Sequence, residues 1–306
     1  MAIAIAPGWG NLPQGNAFPE VFSQNVLMGF RRQSVVDAIS NTNYSGEIQN
    51  SGDTVHIIKE PDITVSALSR GQEITFQDLN DEELQLVIDK SFYYGFAVDD
   101  IEKQLSHINW GEVAANNASY KLTQKFDTEV LQYMADNATT DTTLLGSGAS
   151  PVTIGYGTGN TYTPLDLINQ AMTILDENDV PNDGMRWFLA TPAFYQQLTR
   201  EDGKLIDVSV TGDPESPIRN QKYASGKDLF GFTMFKSNNT PIYSSTVPQI
   251  MFGHKSSTAT ATVLRKADSG KREKAFGEYF KGMMVYGRKV IRPEALFTGF
   301  VSLGDV

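Results

Sequence analysis

The chain has 306 residues, 40% hydrophobic and 20% charged, with a formal net charge of −11 and no cysteine. That length buries a sizeable core in one or two domains and the composition excludes global disorder; the missing cysteines exclude disulfides, thiolate metal sites and a cysteine nucleophile, and fit a reducing cytoplasm. The acidic balance argues against a general nucleic-acid binder, and no run of about 18 apolar residues is present to span a membrane.

Residues 1–50 carry Gly8, Gly10, Pro13, Gly15 and Pro19 and read as weakly structured. The start lacks a basic leader, and its apolar run is too short for a signal peptide. One amphipathic piece, VFSQNVLMGFRRQSVVDAI, forms a helix or lies extended over a neighbour.

Two strand-like runs follow. DTVHIIKEPDITVSAL (53–68) is rich in β-branched residues, and EELQLVIDKSFYYGFAV (82–98) alternates Leu84, Leu86, Ile88 and then Phe92, Tyr94, Phe96. Gly71 and the Asp78, Asn80, Asp81 cluster between them read as turns. The whole is a long two-stranded excursion, and a two-stranded hairpin is marginal alone in water. It needs another surface to lie on, and a neighbouring subunit is a candidate for it.

At Asp99 and Asp100 the pattern changes to helical spacing. From Glu112 to Asn137 there is neither glycine nor proline, enough for about 39 Å of helix. Paired carboxylates can serve acid–base chemistry, but Asp at a helix start also accepts free backbone N–H groups and complements the dipole. The second reading fits the spacing and makes the pair a structural corner.

After a Gly/Ser/Thr-rich loop, Thr163 and Pro164 open a helix with the stripe Leu165, Ile168, Met172, Leu175. MRWFLA (185–190) reads as a buried strand, and Thr191–Pro192 repeats the helix start. FGFTMF, QIMFGH (249–254), TATATVLRK (258–266) and KGMMVYGRKVI (281–291) read as strands, the last closed by RPEALFTGFVS. Such alternation indicates an α/β or α+β layer.

Chemical motifs are sparse. His56, His107 and His254 lack metal-ligand spacing. GYGTGN (155–160) misses the spacing of a dinucleotide loop, and GHKSS (253–257) meets Pro248 where a phosphate loop needs glycine. No nucleophile elbow is present, and no pair among the many carboxylates stands out as a glycosidase pair. No cofactor is implied and no enzymatic activity is expected. Charge is more informative: residues 78–102 hold eight acidic side chains against Lys90, and residues 265–292 hold nine basic against three acidic. Opposite segments far apart in sequence suit contact between copies of one protein, or two solvated faces.

Arm, β-excursion, long helix, α/β layer and final strand occur in one order. SGEIQNSGDTVHI (45–57), GQEITFQDLNDEELQLVIDKSFYYGFAVDDIE (71–102), TPLDLINQAMTILDENDVP (163–181), LFGFTMFKSNNTP (229–241) and YGRKVIRPEALF (286–297) together resemble the major capsid proteins of tailed double-stranded DNA phages, with the α+β Hong Kong 97-type fold. The resemblance runs over about 250 residues. It implies an N-terminal arm (1–50), an extended E-loop over an adjacent subunit (51–97), a peripheral domain with the spine helix (98–140), an axial domain (141–262) and a return strand to the peripheral domain (263–306).

The same resemblance implies self-assembly into pentamers and hexamers of an icosahedral shell around packaged DNA, in a virion assembled in the host cytoplasm, with no membrane. Because the arm starts at Met1, a scaffolding protein acting in trans is implied, together with a portal and possible decoration proteins. Some relatives crosslink through an E-loop lysine. This chain has none between Glu60 and Asp89, so cohesion is expected to be non-covalent. Acidic Asp78, Asp81, Glu82 and Glu83 are expected to meet a neighbour's Arg265, Lys266, Lys271, Arg272, Lys274, Arg288, Lys289 or Arg292, with apolar burial by Phe76 and Leu79. Two alternatives remain: an encapsulin-type compartment shell, which shares the fold, and a carboxylate-using α/β hydrolase.

Overall fold

The computed structural model describes residues 34–46, 54–59, 63–67, 70–71, 73, 76–77, 82–99, 110–200, 228–244, 247–272 and 276–304. In chain order these form α1 (Val36–Ile39), β1 (Thr54–Lys59), β2 (Glu82–Val87), β3 (Lys90–Asp99) and the long helix α2 (Trp110–Asp136). There follow β4 (Val152–Ile154), α3 (Pro164–Glu177), β5 (Arg186–Ala190), α4 (Pro192–Leu198), β6 (Asp228–Leu229), β7 (Phe232–Lys236) and β8 (Ile242–Ser244). The chain ends in β9 (Val247–His254), β10 (Thr258–Lys271), β11 (Gly277–Val290) and β12 (Leu296–Leu303).

Three sheets result. The largest has the order β4-β12-β9-β5-β7-β6, with β8 paired to β9; β10-β11-β3 form a second, and β1-β2 a ribbon. Strand β5, RWFLA, is buried at every residue, because both faces of the large sheet are covered. Phe188 and Ala190 enter one cluster with α3 and α4 residues such as Leu167, Ala171 and Phe194. Trp187 and Leu189 enter another with Phe126, Val130, Leu131 and Met134 of α2. An apolar run without alternation is what burial on two faces demands.

The start of α3 follows its sequence signal. Thr163 Oγ1 accepts from the Asp166 N–H at 3.2 Å, Asp166 accepts from the Thr163 N–H at 3.3 Å, and Pro164 takes the first helical position. At α4 the Thr191–Pro192 start recurs without a side-chain cap bond. Along α2 the apolar residues Phe126, Val130 and Met134 are buried, while Val113, Ala118 and Leu122 stay half-buried. The helix is therefore core only along its second half.

Two elements differ from the sequence reading. The run 82–98 divides at Ile88–Asp89: β2 pairs with β1, and β3 pairs with β11. Its alternation stays in phase through the division, so periodicity carries no mark of it. Where β2 ends it crosses β11 at Gly287, whose added Cβ would lie 2.6 Å from the Val87 carbonyl oxygen. The segment 263–306 holds the end of β10 and two further strands rather than a single strand: β11 lies beside β3, and β12 lies between β4 and β9 in the large sheet.

Candidate intersubunit surface

The ribbon has a buried root and an exposed end. At the root Leu86 and Ile88 pack with Ala259, Ala261 and Val285 of β10 and β11, and Val55 and Ile57 lie against them. Beyond it the large apolar side chains point into solvent: Ile58 is 74% exposed, Val65 92% and Phe76 94%. The two sides stay linked, since the Thr64 N–H donates to Gln77 Oε1 at 3.1 Å. Exposed apolar side chains gathered on one projecting element mark an interaction surface.

The charged set is only partly assembled. Glu83 contacts His56 Nδ1 of its own ribbon. Glu82 occupies the strand position opposite Lys59, but its side chain, like Asp78, Leu79 and Asp81, lies outside the described residues. Among the cations, Lys266, Lys271, Arg272 and Arg292 are exposed and Lys289 is half-buried. The Arg265 side chain and Lys274 lie outside the described residues.

Arg288 departs from the expected set. It contacts Glu129 of α2 and lies 4.2 Å from the Tyr133 ring centroid. The Tyr286 hydroxyl donates to the same carboxylate at 2.8 Å. Burial first, then Glu129, pushes the Tyr286 hydroxyl well above its ordinary pKa. Arg288 is thus committed to fastening β11 onto α2 inside its own chain.

Asp99 ends β3 opposite Gly277. Gly277 has φ +148°, and a Cβ there would meet the Val98 carbonyl oxygen at 2.5 Å, so only glycine fits that approach. Asp100, and a helix start directly after it, lie outside the described residues; the described helix begins at Trp110.

The aromatic run of β3 divides by face. Phe92 lies 5.6 Å from Tyr286, and Phe96 stacks on Phe280 at 5.2 Å. On the other side, Tyr93 is 85% exposed. It lines a cavity of about 340 Å³ with Met283, Lys266, Asp268 and Lys281. Lys281 donates to Asp268 at 3.2 Å, which raises its pKa above the usual lysine value.

Other polar groups carried no sequence signal. Arg186, buried in the large sheet, is tied to Asp176 at 2.7 Å and to the carbonyls of Val180 and Pro181. His254 lies between Ser256 and Asp183, at 2.7 and 3.0 Å. This has the outline of a hydrolytic triad, but the Ser256 backbone N–H also donates to Nδ1, at 3.2 Å. That nitrogen is therefore the acceptor, and Nε2–H donates to Asp183, whose pKa it lowers. The lone pair that would deprotonate a serine is engaged in the turn, so the group is a clamp between strand ends. Among the described residues no three His, Asp or Glu side chains gather to hold a metal, and no helix is long and apolar enough to cross a membrane.

No protein-family model and no curated protein matches this chain. Solved structures do. A structure from Mycobacterium phage Che8 is 22% identical over 93% of this chain and 97% of its own, with a TM-score of 0.76. The capsid structure of Cyanophage P-SCSP1u is 15% identical over 95% and 94%, at TM-score 0.68. The asymmetric unit of the bacteriophage PhiM1 mature capsid is also 15% identical, over 99% and 100%, at TM-score 0.68. The chain therefore has the α+β fold of these structures, the Hong Kong 97-type fold.

Proposed function

We propose that this chain is the major capsid protein of a tailed double-stranded DNA phage, a structural virion protein that assembles into pentamers and hexamers of an icosahedral shell. One observation carries the reading: a β-ribbon rooted in the core, with the chain that continues beyond its strands, leaves Ile58, Val65 and Phe76 in solvent. The end-to-end likeness to capsid structures supports it.

In this reading 1–50 is the arm, 51–97 the E-loop, 98–140 the peripheral domain with α2 as its spine, 141–262 the axial domain, and 263–306 the return to the peripheral domain. The ribbon lies on a neighbouring copy. Phe76 and Leu79 are buried there, and Asp78, Asp81, Glu82 and Glu83 face Arg265, Lys266, Lys271, Arg272, Lys274, Lys289 or Arg292, with Arg288 removed from the set. One exposed ion pair contributes about 0–1 kcal/mol, so apolar burial supplies most of each contact at about 25 cal/mol per Å². Weak contacts repeated around a shell sum to cohesion while early errors stay reversible. Scaffolding, portal and decoration proteins are the further partners, and DNA is enclosed without sequence recognition, which an acidic wall suits.

Expression with and without a scaffolding partner, followed by negative-stain microscopy and sedimentation, tests the reading. Closed particles hundreds of ångströms across are expected. A chain that stays monomeric under every assembly condition overturns it.

A further inference from the structure

We propose that residues 34–41 form a strap that takes and leaves its seat as one unit, and that the buried Asp127 carboxylate is its latch. Asp127 sits midway along α2 and is fully buried. Its two oxygens have separate tasks. Oδ1 accepts from Ser34 Oγ at 2.8 Å, the Val35 N–H at 2.9 Å and the Val36 N–H at 3.0 Å. Oδ2 accepts from Asn239 Nδ2 at 2.8 Å, in the loop after β7. One side chain thus joins the long helix, the segment before β1 and the large sheet's connecting loop.

The far end of the segment is fastened independently. Ser40 Oγ lies 2.7 Å from Thr260 Oγ1. The Asn41 N–H donates to the Thr258 carbonyl at 2.8 Å, and the Thr260 N–H donates to the Asn41 carbonyl at 3.0 Å. Between the two ends, Val35, Val36 and Ile39 are buried in the α2 cluster.

Two physical facts make the seating cooperative. Helix α1 has four residues, far below the length at which a helix holds by itself in water, so its form depends on docking. A carboxylate withdrawn from water is costly unless its oxygens receive donors, and the strap supplies three of the four found here. Lifting Ser34 alone, or Val35 alone, leaves the others straining to stay. Charge-assisted bonds of this kind are about twice as strong as neutral ones. The strap is accordingly either down with the latch closed or off entirely.

Hydrogen–deuterium exchange on the full chain tests this without any particle forming, so its failure is separate from failure of the capsid reading. Asp127→Ala is expected to speed exchange at Val35, Val36 and Ile39 to Asn41 by about tenfold or more, with β5 and β9 amides changing far less. Asp127→Asn keeps an oxygen for the strap but sets its amide against that of Asn239, and falls between the two. The exchanged pair, Asp127→Asn with Asn239→Asp, restores donor to acceptor and returns the rates to within about threefold of the original. A role in packing alone predicts no such recovery. The proposal is overturned if strap amides keep their rates in both single variants, if β5 and β9 accelerate by the same factor, or if the exchanged pair is no better than Asp127→Asn. Should Asp127→Ala fail to fold, the Asn variant and the exchanged pair decide.

Discussion

Strands β10 and β11 run fourteen residues each and β1 and β2 six each, and both pairs are antiparallel and rich in residues that suit strands. They differ in what covers them. β11 lies between β10 and β3 and meets α2 through the Tyr286 ring, 4.9 Å from that of Phe126, while Phe280 stacks on Phe96. The ribbon buries its root and then leaves Ile58, Val65 and Phe76 uncovered. Local chemistry makes a strand in both places, and a second layer decides whether the strand is finished. One hairpin is covered within the chain where α2 and β3 meet it and is exposed only towards its turn, where Phe276 stands in solvent; the other stops being covered at the edge of its root.

The strongest way to break this contrast is at the finished hairpin. Tyr286→Ala removes a fully buried ring that touches α2 and β3, and truncations of this kind cost about 3–5 kcal/mol. A large drop in melting temperature is expected, with or without particles. A change as small as that of a surface variant would mean that β11 is no more supported than the ribbon.

A smaller effect at the same residue depends on pH. In the unfolded chain the Tyr286 hydroxyl titrates near 10, and in the folded chain its pKa is raised by burial and Glu129. Its contribution is therefore fully present below pH 10, and stability declines as pH rises above that, since the unfolded state then holds fewer protons. Tyr286→Phe should flatten the alkaline fall seen in urea titrations between pH 9 and pH 11. An unchanged slope would show that neither burial nor Glu129 raises the Tyr286 pKa in the folded chain.

The sequence made some of this legible and hid the rest for physical reasons. The α3 start was readable because Thr163, Pro164 and Asp166 complete their contacts within four residues. The ribbon was readable because its apolar alternation had no local partner. The division of 82–98 was hidden because Leu86, Ile88 and Phe92 keep one phase across it, and sheet membership depends on β10 and β11 far downstream. Asp127 looked like one more polar residue on a helix, since its donors stand 91 to 112 positions away. Arg288 looked like a free surface cation because nothing nearby in sequence announces Glu129. Local signals report elements; long-range polar contacts require the fold.

At the unfinished ribbon the expected effects on the chain itself are slight. Phe76→Ala removes no contact that the core uses, so melting should move by no more than about 0.5 kcal/mol. Particle yield should fall sharply, because the same ring is the most exposed large apolar group among the described residues. Normal particles from this variant would show that Phe76 is not the ribbon's anchor.

The slightest change, and the most discriminating, is Glu83→Lys. Glu83 and His56 form a cross-strand contact with both side chains about half exposed, and exposed pairs contribute about 0–1 kcal/mol. The folded chain should barely register the substitution in a melting curve. Between copies the reversal sets a lysine against exposed cations such as Lys266, Lys271 and Arg272, and that repulsion is screened over about 10 Å at 0.1 M salt. Assembly of the variant should therefore lag in dilute buffer and approach the original as salt is added, as light scattering would record. If the two proteins assemble alike at every salt concentration, the ribbon's acidic face has no basic partner. If the variant instead melts several degrees lower, the charge is spent inside the ribbon, and the contrast between a finished and an unfinished hairpin loses its electrostatic half.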